Sequence, residues 1–261
     1  MEKVELFDIR FDNYDFADLM QFLDDAIQRR EPTYVLTCNV DHLINLRRDS
    51  YFRNVYQQAG ATVADGMPIV WVSRLFGTPL KRRVAGSDIL TELGLDFERK
   101  RYRIYFLGAG EGVAEEAKRN LLLKFPAMHI VGCYSPPLGF EQDELECARI
   151  IKLLKDAKPD IVFMGVGSPK QEKWIYQFHQ EYGAPVSIGV GATFDFLAGR
   201  VKRAPVVFQR SGLEWLWRLY REPKRLWRRY LVEDTKFLKL LLTEMKNRRR
   251  RERHGAYTKR G

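Results

Sequence analysis

The sequence predicts an α/β fold, and three observations carry that expectation. Short, wholly apolar runs alternate with longer helical patterns between Tyr34 and Val190. Glycines or small polar residues close most of those short runs. Beyond residue 199 the strand signal stops, and helical spacing and basic charge take over. Buried strands separated by helices imply a Rossmann-like parallel sheet with helices on both faces. The last observation adds a helical, basic C-terminal appendage.

The elements follow in chain order. Tyr34-Val35-Leu36-Thr37 reads as a buried strand, followed by helical spacing over residues 41–58. Ala61 to Ala64 forms a second short strand, and Met67 to Phe76 a helix. Tyr102 to Leu107 is the strongest strand, entering Gly108-Ala109-Gly110 and a helix over residues 111–124. Met128 to Cys133, Ile161 to Met164 and Val186 to Val190 complete the strands, separated by helices over residues 142–156 and 169–182. In the appendage, Leu213, Leu216, Trp217 and Tyr220 recur at i, i+3, i+4 and i+7. Pro223 suits the first turn of a second helix with Leu226, Trp227, Tyr230 and Leu231. Arg218, Arg221, Arg225 and Arg228 align on one face.

Charge divides the chain in the same place. Residues 1–199 hold 24 Lys/Arg against 28 Asp/Glu, and residues 200–261 hold 20 against 6. Three of the five tryptophans, Trp215, Trp217 and Trp227, lie among the appendage arginines. That mixture suits a lipid–water boundary or stacked bases. Three widely spaced cysteines with no CxxC encode neither a disulfide framework nor a zinc site. The N-terminus has no signal-peptide pattern, and no run approaches the ~18 apolar residues of a spanning helix. The expectation is a cytoplasmic protein that touches a membrane only from outside.

Open parallel sheets hold ligands beyond the carboxyl ends of their strands. Thr37-Cys38-Asn39 ends the first strand, where Thr37 and Asn39 offer hydrogen-bonding groups; the plainer reading of Asn39 is a helix cap. Asp65-Gly66 follows the second strand, and a carboxylate there can take a proton from a hydroxyl or cap the helix at Met67. Lys81-Arg82-Arg83 supplies cations from a loop, and one guanidinium aimed inward would neutralise a departing diphosphate. Gly165-Val166-Gly167-Ser168-Pro169-Lys170-Gln171-Glu172 opens a helix at Pro169, with Ser168 placed as its cap. Gly189 to Asp195 adds Thr193 and Asp195 to the same rim. In Gly108-Ala-Gly-Glu-Gly-Val113 the third slot of a dinucleotide fingerprint holds Val113, which disfavours a nicotinamide-dependent dehydrogenase. The sequence contains no P-loop and no Asp-x-Asp pair for a sugar-nucleotide metal.

Together these loops resemble the WecG/TagA/CpsF glycosyltransferase family over about Val4 to Asp234. The resemblance is carried by Thr37-x-Asn39, Ala64-Asp65-Gly66 with Val70-Trp71, and Arg83 before Gly86-Ser87-Asp88. Gly165-x-Gly167-Ser168-Pro169-Lys170-Gln171-Glu172-x-Trp174 and Gly191-Ala192-Thr193-Phe194-Asp195 continue it. Gly212-Leu213-Glu214-Trp215 with Arg218, Glu222-Pro223 and Arg225 completes it.

The resemblance implies a metal-independent, inverting transfer of N-acetylmannosamine, its uronic acid or glucose from a UDP-sugar. The implied acceptor is a sugar on a polyprenyl diphosphate, reached from the cytoplasmic face of the membrane. By similarity Asp65 is the general base, and Arg83 with Thr37, Asn39 and Gln171 lines the pocket. Arg218, Arg225 and Arg228 complete it around the diphosphate, on an appendage that docks on an anionic membrane surface. Residues 1–199 then form the catalytic domain and 200–245 the docking appendage, while the Arg/Lys run of 246–261, outside the resemblance, reads from its charge as a disordered basic tail. No cofactor and no nucleic-acid partner are expected. The competing reading, a nucleic-acid-binding protein, explains the Arg/aromatic tail but leaves the strand-end loops idle.

Overall fold

The computed structural model describes residues 2–205, 207–208, 213–221 and 236–246. Six parallel strands form the central sheet: β3 (Thr33–Cys38), β4 (Ala61–Ala64), β5 (Ile104–Gly108), β6 (Ile130–Tyr134), β7 (Ile161–Gly165) and β8 (Val186–Gly189). Their spatial order is β4-β3-β8-β7-β5-β6. Side chains alternate across it, as the two-residue period of a strand requires. Tyr105 and Leu107 enter one core with Val162 and Met164, whereas Ile104 and Phe106 enter the other with Ile161 and Phe163. Every residue of β5 and β7 is buried, which is why these strands read as unbroken apolar runs.

One face carries α2 (Val40–Leu46), α3 (Ser50–Gln57), α4 (Met67–Leu75), α8 (Glu144–Ala157) and α9 (Lys170–Tyr182). The other carries α1 (Phe16–Arg29), α5 (Gly86–Glu92), α6 (Gly94–Lys100), α7 (Val113–Lys124) and α10 (Thr193–Leu197). The single helix expected over 41–58 is two, because Asp49 accepts from Phe52 N and caps a new helix. Ser168 does not cap α9: the cap position is Pro169, and no side-chain cap bond is made there.

An antiparallel hairpin of β1 (Lys3–Leu6) and β2 (Ile9–Asp12) precedes the sheet. Phe7 and Asp8 turn it, both at positive φ. Asp12 Oδ2 accepts from Thr62 N at 2.8 Å, so the hairpin covers the otherwise open edge of β4.

The appendage contributes α11 (Glu214–Arg221) and a helix over residues 236–246. Phe237, Leu240 and Leu241 of the latter pack on the core of the first face, with Phe237 5.6 Å from the Phe7 ring. The expected helix after Pro223 and the tail beyond residue 246 lie outside the described residues.

Candidate functional site

All six strands run the same way, so their carboxyl ends form one edge. Along it lie Asp65 beyond β4, Thr37 and Asn39 at β3, and Gly189 to Gly191 at β8. Gly165 to Gly167 at β7, Gly108 to Gly110 at β5 and Tyr134-Ser135 at β6 follow.

A cavity of about 790 Å³ occupies the β8–β7–β5–β6 half of this edge. Gly110, Gly112, Ser135, Gly167, Lys170 and Asp195 are among its lining residues. Helices α7 and α9 both begin there, so two positive helix ends and Lys170 face the cavity, together with the carboxylate residues Glu111, Glu115 and Asp195. The floor depends on glycine. Gly108 and Gly165 stand opposite each other across β5 and β7, and a Cβ on Gly108 would lie 2.6 Å from the Gly165 carbonyl carbon. Ser135 Oγ lies within reach of the Gly108 and Gly110 carbonyls, at 3.3 and 3.1 Å, which fixes the turn.

The β3–β4 half carries the polar groups. Thr37 is buried, and its hydroxyl donates to the Gly189 carbonyl at 3.3 Å, tying β3 to the cavity's β8 wall. Asn39 caps α2 by accepting from His42 N at 3.1 Å, which is the plainer of its two sequence readings. Asp65 is half-buried and its N–H donates to the Cys38 carbonyl at 2.7 Å. The cap position of α4 is taken by Gly66 at φ 140, so Asp65 does not stand there. Strands ~4.8 Å apart put the β4 end about 10 Å from the β8 end.

Arg83 is held in a charged cluster. It donates to Asp88 Oδ2 at 2.7 Å and to Glu214 Oε2 at 3.4 Å. Arg203 pairs with the other Asp88 oxygen, donates to Ser87 Oγ at 3.1 Å, and lies 3.9 Å from Glu214 Oε1. Two guanidinium groups and two carboxylates therefore join the body to the first turn of α11. Arg203 and Glu214 carried no assigned role in the sequence, where they sit 120 and 131 residues from Arg83. Arg218 falls on α11, whereas Arg225 and Arg228 lie outside the described residues.

Gln171 is 3% exposed. Its Oε1 accepts from Gly167 N at 3.2 Å and Gly191 N at 3.1 Å, and its Nε2 donates to Glu172 Oε1 at 2.7 Å. Its carboxamide thus braces two cavity loops from behind. Glu172, only 1% exposed, has its carboxyl pushed up from 4.5 to about 7, because burial outweighs the hydrogen bonds from Gln171, its own backbone and Ser168. Ser168 lies near enough to favour the carboxylate, yet neither Ser168 Oγ nor Glu172 Oε2 makes a well-formed hydrogen bond among the described residues.

That raised value has a thermodynamic consequence. A folded pKa above the unfolded one contributes stability that is complete below about 4.5 and lost as pH rises through about 7. Glu172→Gln removes the ionisation. The variant is expected to gain on the parent protein with rising pH, by up to roughly 3 kcal/mol above neutrality. Urea unfolding at pH 5 and pH 8 checks it, and a difference that does not change with pH contradicts it.

Among the described residues no group of three or more His, Cys, Asp or Glu is placed to hold a metal ion. Nor is any helix among them long and apolar enough to cross a membrane.

The sequence has relatives among known proteins. Three relatives carry the name N-acetylglucosaminyldiphosphoundecaprenol N-acetyl-beta-D-mannosaminyltransferase. That of Bacillus spizizenii (strain ATCC 23059 / NRRL B-14472 / W23) is 34% identical over 205 residues, 78% of this chain and 77% of its own. That of Bacillus subtilis (strain 168) is 31% identical over 250 residues, covering 95% and 94%. That of Staphylococcus aureus (strain MW2) is 28% identical over 228 residues, 87% of each chain. The sequence profile described as the glycosyl transferase WecG/TagA/CpsF family matches residues 4–251. With a match of that length over this sheet and its loops, the chain belongs to the WecG/TagA/CpsF family of glycosyltransferases.

Proposed function

We propose that the protein transfers N-acetylmannosamine from its UDP derivative to N-acetylglucosamine linked through diphosphate to a polyprenyl lipid, with inversion at the anomeric carbon. The sugar and acceptor follow the names of the relatives. One observation carries the mechanism: Asp65 lies just beyond β4 on the same sheet edge as the cavity at the N-termini of α7 and α9, about two strand intervals from its β8 wall. That interval suits a donor whose nucleotide fills the cavity and whose sugar reaches past Thr37 towards Asp65.

The reaction is one displacement. The acceptor hydroxyl oxygen bonds to the anomeric carbon as the bond from that carbon to the UDP oxygen breaks. Asp65 takes the hydroxyl proton, and UDP leaves with the electron pair. A carboxylate so placed contributes ~10²–10⁴ in rate. Arg83 and the appendage arginines meet the charge growing on the diphosphate. With guanidinium groups in that role, the step calls for no divalent metal.

The acceptor's lipid lies in a bilayer, and the appendage is suited to reach it. Leu216, Tyr220, Leu238 and Leu242 are exposed, among Lys and Arg that each contribute ~1 kcal/mol near an anionic leaflet. Residues 200–245 therefore form the docking part, and the enzyme works peripherally on the cytoplasmic face.

The test is direct. The protein is incubated with N-acetylglucosaminyl-diphosphate-polyprenol and a panel of UDP-sugars, with and without chelator, and the lipid products are weighed. One added N-acetylhexosamine from UDP-N-acetylmannosamine, at the same rate in both arms, is expected. Product from another sugar alone overturns the donor, and loss on chelation overturns the metal-free step.

A further inference from the structure

Behind the loops of the cavity lies a chain of buried ionisable groups that the transfer step leaves without a task. Tyr56 OH is 2.6 Å from His42 Nδ1, and His42 Nε2 is 3.7 Å from Glu172 Oε1. That same carboxyl oxygen accepts from Gln171 Nε2, whose partner atom Oε1 holds the N–H groups of Gly167 and Gly191. Tyr56 is 9% exposed, and His42, Gln171 and Glu172 are each 3% exposed or less.

A carboxamide has two ends of nearly equal size, and only hydrogen bonding tells them apart. Here the oxygen must face two backbone N–H groups. Turned over, it would set its NH₂ against both donors and its oxygen against a carboxyl group. Packing pins the group as well, since a Cβ on Gly189 would come within 2.5 Å of Gln171 Nε2. A buried carboxylate with weak compensation adds little stability compared with an apolar residue of the same shape. Its presence therefore points to a specifying role.

The surroundings are those of a backing group. Glu172 is faced by His42 and Asp41 from α2, Tyr56 from α3 and Cys38 from β3, with Ser168 and Gln171 on its own side, and Asp65 beyond β4 acts on Tyr56 and Cys38. The His42 backbone is also the group that Asn39 caps. One assembly thus reaches both halves of the sheet edge.

We propose that Glu172, backed by His42 and Tyr56, is a positioning residue for the donor nucleotide: it fixes the direction of the Gln171 carboxamide and so sets the separation of the Gly167 and Gly191 loops. The proposal rests on the reading that the cavity between those loops takes UDP. Glu172 touches neither substrate nor reacting atom in this account.

UDP itself is the probe, titrated by calorimetry into the full-length protein and its variants from pH 6 to 8. Glu172→Gln keeps a carbonyl acceptor for Gln171 and should bind UDP within about threefold of the parent. Glu172→Leu removes the acceptor and should bind about tenfold or more weakly, with KM for the donor rising and kcat changing less than threefold. The ratio of Glu172→Gln to parent Kd, in which ionisation of UDP itself cancels, should change across neutrality as the parent carboxyl ionises.

Parent-like affinity in Glu172→Leu overturns the proposal, as does a Glu172→Gln variant as weak as Glu172→Leu, or a ratio flat with pH. Should Glu172→Leu not fold, His42→Gln supplies the second arm. It leaves the residues Gln171, Glu172 and those of both loops unchanged while removing the group behind Glu172, and UDP affinity at least threefold below the parent is expected. Unchanged affinity there also overturns the assignment. A parent protein that does not bind UDP at all would instead sink the cavity reading.

Discussion

Replacing Asp65 by Asn is expected to lower kcat by ~10²–10⁴ while UDP affinity stays within about threefold of the parent. The carboxamide keeps the shape and one acceptor oxygen but cannot take a proton at neutral pH. The position gives the substitution its selectivity. Asp65 lies beyond β4, whereas the cavity proposed for the nucleotide is built from β5 to β8, so its lining is untouched. The Asp65 N–H bond to the Cys38 carbonyl is a backbone contact that Asn retains. Because the cap position of α4 is Gly66, helix capping does not explain a loss either. Single-turnover transfer from UDP-N-acetylmannosamine, beside calorimetry with UDP, separates the two quantities. Normal turnover in Asp65→Asn would remove the base from the mechanism, and an equal fall in affinity would mean the residue binds rather than reacts.

The sequence displayed the sheet because its strands are buried on both faces. Ile104 to Gly108 and Ile161 to Gly165 are continuous apolar segments, and each ends in a glycine that close approach explains. Strand ends also disclosed the edge residues Thr37, Asn39 and Asp65. The hairpin of β1 and β2 was not legible: its strands are four residues each, and the turn at Phe7-Asp8 lacks the glycine such turns usually carry. By contrast α1 has every local signal, with Asp15 and Asp18 forming a capping box and Leu19, Leu23 and Ile27 on one stripe. A strand count that begins at Tyr34 passes over it.

Two parts of the site depend on contacts that local spacing does not encode. Glu172 follows Gln171 on an amphipathic helix, where a Glu ordinarily reads as solvated surface; only the fold brings α2 against it. The cluster around Asp88 joins residues from a loop, α5, the segment after α10 and α11, separated by up to 131 positions. No residue in it is unusual for its own segment. Their meaning arises from assembly, and it bears on Arg83: the guanidinium proposed to meet the leaving diphosphate already has two carboxylate partners.

That arrangement sets the second large effect. Arg83→Ala is expected to lower kcat by ~10²–10³, the usual consequence of removing one donor aimed at developing negative charge. Loss of the guanidinium also leaves Asp88 and Glu214 with Arg203 as their partner in the cluster, so α11 could loosen and lower activity for a different reason. Glu214→Gln separates the causes. It weakens the same link between body and α11, at 3.4 Å in the parent, while keeping the Arg83 guanidinium. If Arg83 acts on the diphosphate, Glu214→Gln keeps kcat within about threefold of the parent and lowers KM for the donor, since one competing carboxylate has gone. If Arg83 serves chiefly to hold the appendage, Glu214→Gln falls with Arg83→Ala. Steady-state kinetics on the two variants, with melting temperatures measured alongside, decide between charge at the reacting phosphate and attachment of α11.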